Sequence, residues 1–191
     1  MDRLRYTLTT AWQYRHALAS YGRVDALQIR TLLDLDPLKS QAQGIRCLIL
    51  DFDGVLSAHD APLPIAAVVA WLRVAIRVFG AEHLFILSNQ PRAERIAYFK
   101  TYFPGISFIR AQRPKPFADG IDEILARHPD CLPSQFLLVD DRLLTGILAA
   151  LSRDLQACYV RAPWSDWSQK PFAELFYQML RYAEHAFVSF F

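Results

Sequence analysis

Short apolar runs and longer amphipathic stretches alternate along most of this chain. Residues 47–50, 83–87, 106–109, 135–139 and 157–160 are each too brief for a helix and nearly continuous in apolar side chains, the pattern of strands buried on both faces. The segments between and after them have helical length and spacing. Helices are expected over residues 65–79, closed near Gly80, over 91–102 with Pro91 as first residue, and over 118–127, 142–151 and 171–187. Strands alternating with helices in this rhythm predict a three-layer, Rossmann-like α/β fold, with a parallel sheet, helices on both faces and ligands at the carboxyl ends of the strands.

The ends of the chain are patterned differently. Residues 4–20 are good helix formers carrying Tyr6, Trp12 and Tyr14 together with Arg3, Arg5, Arg15 and His16. Such a helix either packs on the domain, the commoner case for an amphipathic helix, or lies on a membrane surface. Residues 22–46 form a connection with a short helix near 25–33 and a break at Pro37. In the last helix, Phe172, Leu175, Phe176, Met179, Leu180, Ala183, Ala186, Phe187 and Phe190 follow helical spacing, an apolar stripe expected to face the core. The organisation expected is an amino-terminal helical extension (1–43), a catalytic domain (44–162) and a carboxyl-terminal helix packed on it (163–191).

Composition narrows the class. With 191 residues, 53% hydrophobic and 21% charged, the chain suits one domain with a sizeable core, and a net charge of +2 gives no whole-protein attraction to nucleic acid. The basic excess is local: residues 1–46 hold seven Lys or Arg against four Asp. Cys47, Cys131 and Cys158 are widely spaced without a CxxC pair, and the five histidines form no spaced cluster, so the linear pattern points to a reducing cytoplasm rather than to disulfides or zinc. Arginines at 3, 5 and 15 argue against a secretory signal, and Arg73 and Arg77 against a membrane span in residues 62–79.

Candidate chemistry collects where the strands end. The first run ends in Asp51-Phe52-Asp53-Gly54, the second in Ser88-Asn89, and the fourth in Asp140-Asp141, while Lys115 lies in a basic loop ahead of a helix. Four carboxylates converging with a lysine and a hydroxyl call for a hard cation, magnesium by preference. A carboxylate can attack phosphorus to give an aspartyl-phosphate, with the lysine, the hydroxyl and the metal holding the equatorial oxygens. Arg92, Arg110, Arg113 and Arg142 adjoin these positions and could rim the site.

In this order the residues resemble the haloacid dehalogenase (HAD) superfamily, over roughly residues 45–162. The resemblance implies a phosphatase in which Asp51 is the nucleophile and Asp53 the acid and base. Ser88, Asn89 and Lys115 would bind phosphate, and Asp51, Asp53 (through its backbone carbonyl), Asp140 and Asp141 would hold Mg2+. The stretches from Asp53 to Ser88 and from Ser88 to Lys115 are used up by core elements, so no cap domain fits, and the open site would admit large substrates or need a partner subunit to close it. Gly44-Ile45-Arg46, Trp71-Leu72, Ser88-Asn89, Lys115-Pro116 and Asp141-Arg142-Leu143-Leu144-Thr145 resemble the capless subclass III phosphatases that include the phosphatidylglycerophosphate phosphatases. That likeness implies phospholipid metabolism and peripheral membrane contact. The chain departs from the family at Asp140 and Gly146, where a Gly and a further Asp are usual, and at Val55, where a hydroxyl is usual. These departures keep two alternatives open: a relative that binds without turnover, and a phosphatase acting on protein or nucleic-acid ends.

Overall fold

The computed structural model describes residues 2–191 and contains a six-stranded, wholly parallel sheet. Its strands are β1 (Gln28–Ile29), β2 (Cys47–Leu50), β3 (Leu84–Leu87), β4 (Ser107–Ile109), β5 (Phe136–Asp140) and β6 (Gln156–Val160), in the order β1-β6-β5-β2-β3-β4. Side chains two apart along a strand share a face, and the core divides accordingly. Cys47 and Ile49 of β2 join Phe85, Leu87 and Leu138 on one face, whereas Leu48 and Leu50 join Leu84, Ile86 and Val139 on the other.

Helices cover both faces. In chain order they are α1 (Arg3–Gln13), α2 (Arg15–Ser20), α3 (Pro37–Ala42), α4 (Ala66–Phe79), α5 (Ala93–Tyr102), α6 (Asp119–Arg127), α7 (Leu148–Leu151) and α8 (Pro171–Ser189). Val68, Leu72 and Ala75 of α4 and Phe99 of α5 pack on the second face, and Ile121 and Ile124 of α6 with Leu148 and Ala149 of α7 on the first. From β2 the chain steps outward to β3 and β4 and then crosses to β5 and β6 on the other side. The strand order therefore reverses between β2 and β5, and a crevice opens at their carboxyl ends where ligands of such sheets bind. Among the described residues no cap domain interrupts this core.

Several local expectations give way to the structure. Residues 4–20 are two helices, broken at Tyr14. The connection 22–46 holds β1 and α3: β1 lies beside Tyr159 and Val160, and Pro37 starts a helix rather than breaking one, because Asp36 accepts the backbone N–H groups of Leu38 and Lys39 at 2.9 and 3.3 Å. Helix α5 begins at Ala93, since Arg92 is still extended (φ −67°, ψ 144°). Residues 143–147 form a π-helical turn ahead of α7, the wide kind of turn that recurs at functional sites.

Helix α8 inverts its expected polarity. Phe172, Phe176 and Met179 are 86%, 57% and 64% exposed, while Glu174 and Glu184 are buried. The apolar spacing is helical, but the face turned to the domain carries ion pairs. Helix α1 likewise leaves Leu4, Leu8 and Trp12 exposed and buries only Ala11; Leu18 and Ala19 of α2 are what reach the core. Among the described residues no helix is long and apolar enough to cross a membrane.

Candidate functional site

Asp51 continues the β2 ladder, its N–H donating to the Val139 carbonyl at 3.0 Å, so its carboxylate emerges where β2 and β5 end together. Gly54 then turns the chain at φ +83°, where a Cβ would lie 2.7 Å from the Asp141 carboxylate. Only glycine serves here: the turn must pass against the acid delivered by the neighbouring strand.

Asp51, Asp140 and Asp141 bring carboxylate oxygens within 4.8 Å of one another, and all three are buried. Lys115 lies between two of them, its ammonium 2.9 Å from Asp51 Oδ1 and also bonded to Asp140 Oδ2. Burial alone would lower the Lys115 pKa, but Asp140 and Asp51 outweigh it and raise it, so the lysine is a fixed positive charge. Burial, opposed by Lys115 and reinforced by Asp140 and Asp53, pushes Asp51 up to about 7. Burial, with Asp140 and Asp51 beside it, raises Asp141 well above the ordinary carboxylate range. When ionised, the three buried acids outnumber Lys115 and Arg181, a surplus that a divalent cation would neutralise, and the donors are hard oxygens at metal-binding separation. The cluster fits Mg2+.

Gly146 explains the unusual acid at 140. A Cβ there would come within 1.9 Å of Asp140 Oδ2, so the Asp140 carboxylate fills the space a side chain at 146 would need. The two positions share one space, so an acid at one excludes an acid at the other.

The remaining expected residues take differing places. The Asp53 carboxylate does not join the three-acid cluster. It accepts Arg95 Nη2 at 2.7 Å and Nη1 at 2.9 Å, together with the Asp60 N–H at 3.0 Å. Ser88 ends β3 as expected, but its buried hydroxyl accepts the Gln90 N–H at 3.1 Å. Asn89 clasps the backbone of Lys115, accepting its N–H at 2.7 Å and donating to its carbonyl at 3.3 Å, and so sets the lysine rather than replacing it. Of the arginines expected at the rim, Arg142 lines the cavity and pairs with Glu184 at 2.9 Å. Arg92 pairs with Asp60, Arg113 with Asp119, and Arg110 is exposed.

Three further arginine-centred features have no signal in the linear sequence. Arg95 is fully buried over the Phe52 ring (3.9 Å) and also donates to the carbonyls of Ala61 and Gln90, so one side chain ties together the loops after β2 and β3. Arg3 of α1 donates to the Lys115 carbonyl at 2.6 Å. Arg181 of α8 donates to Asp141 Oδ2 at 3.0 Å, while Glu184 accepts the Leu143 N–H at 2.9 Å. Glu174, in the first turn of α8, faces His59 at 3.7 Å, and Tyr177 stacks on that imidazole. The helix is a roof over the mouth, held by polar anchors.

Under this roof lies a cavity of about 490 Å³, bordered by Asp51, Asp53, Lys115, Asp141, Tyr177 and Leu180. It shares Arg3, Arg142, Thr145 and Leu180 with a second, mostly apolar groove of about 570 Å³ between α1 and α8, where Leu4, Leu8, Leu144, Ala183 and Phe187 supply the walls. An anionic centre bearing one lysine thus opens directly onto an apolar channel.

No protein-family model matches the sequence, and no curated protein does. Among solved structures the chain is similar to a hydrolase of the haloacid dehalogenase-like family from Streptococcus pneumoniae, with 14% identity and a TM-score of 0.42, over 71% of this chain and 99% of that one.

Proposed function

We propose that this protein is a Mg2+-dependent phosphomonoesterase of the HAD type that works through an aspartyl-phosphate and takes a lipid phosphate, phosphatidylglycerophosphate, as substrate. The observation that carries the reading is the Asp51–Lys115–Asp140–Asp141 cluster at the point where the strand order reverses. Asp51 attacks phosphorus as the ester oxygen leaves, and Asp53 hands that oxygen a proton. Asp53 then takes a proton from water as the water attacks the acyl phosphate, which releases phosphate and restores Asp51. Lys115 holds a phosphoryl oxygen, and the Ser88 hydroxyl can donate to another. Bound Mg2+, held by Asp51, Asp141 and the Asp53 carbonyl with Asp140 behind them, would neutralise charge on the transferring group.

The groove favours a lipid. A phosphate seated at Lys115 has the apolar walls of Leu4, Leu8 and Phe187 beside it, and the exposed apolar residues of α1 and α8 flank the same mouth. Such a substrate would be taken from a membrane surface. Phosphatidylglycerophosphate in mixed micelles should release phosphate only with Mg2+, and Asp51→Asn should abolish the release while leaving the fold intact. Absence of turnover on that lipid and on simple phosphate esters, with folded protein and metal present, would overturn the reading. Turnover of simple esters alone would remove only the lipid.

One observation favours a second reading, a binding module without turnover. Both oxygens of Asp53 are taken by Arg95, so delivering its proton requires that arginine to release one of them. In that case Mg2+ and phosphate would bind without hydrolysis of any ester.

A further inference from the structure

At the end of the strands opposite Asp51, folding brings together residues that their linear spacing does not connect. Cys47 opens β2, and His128 and Cys131 belong to the turn that follows α6; one ligand atom from each lies within 4.8 Å of the others. Both cysteines are buried and His128 is half-buried. The turn is closed by the Cys131 N–H on the His128 carbonyl at 3.0 Å, and Arg46, next to Cys47, pairs with Asp130 within it at 3.2 Å. The His128 imidazole is oriented from behind, with Nε2 3.3 Å from the Glu82 carbonyl and His83 alongside at 4.9 Å between ring centroids.

We propose that Cys47, His128 and Cys131 form a zinc site with three protein ligands. Two thiolates and an imidazole are the donors zinc prefers. Tetrahedral coordination with Zn–S of about 2.3 Å places sulfurs about 3.8 Å apart, within the spread these atoms already have. The Glu82 carbonyl takes the Nε2 proton and so leaves Nδ1 as the coordinating nitrogen, the outer-shell arrangement that fixes a metal-bound histidine. Binding releases the two thiol protons to solvent, and water fills the fourth position. The Asp51 site offers only oxygen donors on the other rim, so the two metals are separated by chemistry as well as by place. Zinc here ties the start of β2 to the α6–β5 connection, and its presence does not depend on the phosphatase reading.

The test uses the full chain, reduced and stripped with a chelator, then titrated with Co2+. One equivalent should give a thiolate-to-cobalt charge-transfer band and tetrahedral visible bands, which one equivalent of Zn2+ abolishes, and Zn2+ should raise the thermal midpoint. Cys131→Ser should lose the charge-transfer intensity of one thiolate. His128→Gln, at a half-buried position that leaves the fold in place, should bind zinc at least about 100-fold more weakly. Asp51→Asn should leave the cobalt spectrum unchanged. Free thiol reactivity at all three cysteines with no cobalt band would overturn the proposal, as would a spectrum that survives Cys131→Ser and His128→Gln. A Cys47–Cys131 disulfide in a chain that takes up no zinc would overturn it equally.

Discussion

The position that departs most from the expected family pattern is also the one whose packing is most explicit. A Cβ at Gly146 would overlap the Asp140 carboxylate, which is fully buried and bonded to both Lys115 and the Arg142 N–H. Gly146→Ala should therefore displace a buried charged pair and cost about 3 kcal/mol, read by thermal or urea unfolding, with Mg2+ affinity falling alongside. Asp140→Gly alone should cost a similar amount, because Lys115 loses one of its two carboxylates. The combination Asp140→Gly with Gly146→Asp returns an acid to the vacated space and should recover part of both losses. A double variant no better than the sum of the singles would show that the two sites do not share that space. Both residues are legible as departures in the sequence, because identity and order are visible in a chain. It did not reach Arg95, whose importance comes from four acceptors that converge only after folding.

At the scale of elements, the five longer strands and the helices over the core were legible because burial on both faces leaves continuous apolar runs. Strand β1 was not: two half-buried residues make no run, and only the ladder with Tyr159 and Val160 defines them. For α8 the apolar spacing identifies the helix but not its inner face, where only Phe187 of the stripe packs against the core. Apolar spacing identifies which residues share a stripe, but buried carboxylates can win the inner face from it, as Glu184 does with Arg142 and the Leu143 N–H and Glu174 with the Asp166 N–H. This placement makes α8 part of the site. Arg181 sets a positive charge on Asp141, one of the acids proposed to hold Mg2+, and that charge opposes the cation. Screened by solvent in the mouth, at an effective dielectric of about 40–80, the repulsion of a divalent ion across about 5 Å is of the order of 2–3 kcal/mol. Arg181→Ala should thus lower the half-saturating Mg2+ concentration by about tenfold, measured by calorimetry or by the metal dependence of activity. Arg181→Lys, which keeps the charge, should stay near the wild type. Weaker Mg2+ binding in Arg181→Ala would instead make the arginine an organiser of the site.

For the molecule as a whole, the buried acids link stability to pH and to metal. Asp51 is pushed up to about 7 and Asp141 is raised as well, so without metal the folded chain holds protons that the unfolded chain gives up near the ordinary carboxylate value of 3.8. A pKa raised on folding stabilises below the unfolded value, and the stabilisation is lost as pH rises through the folded value. The contribution of Asp51 is therefore full below about pH 4 and gone above about pH 7. Mg2+ needs the same oxygens deprotonated, so it competes with those protons and binds best where they are absent. The increase in thermal midpoint produced by a fixed Mg2+ concentration should be small at pH 5 and grow through neutrality to a plateau above about pH 7.5. The Asp51→Asn variant should show a smaller increase, with little of the growth between pH 5 and 8. An increase equal at pH 5 and pH 8 in the wild type would place the cation away from Asp51 and Asp141. Because the Cys47–His128–Cys131 cluster takes a softer ion at the other end of the strands, chelator-stripped protein given one equivalent of zinc should show this Mg2+ profile unchanged.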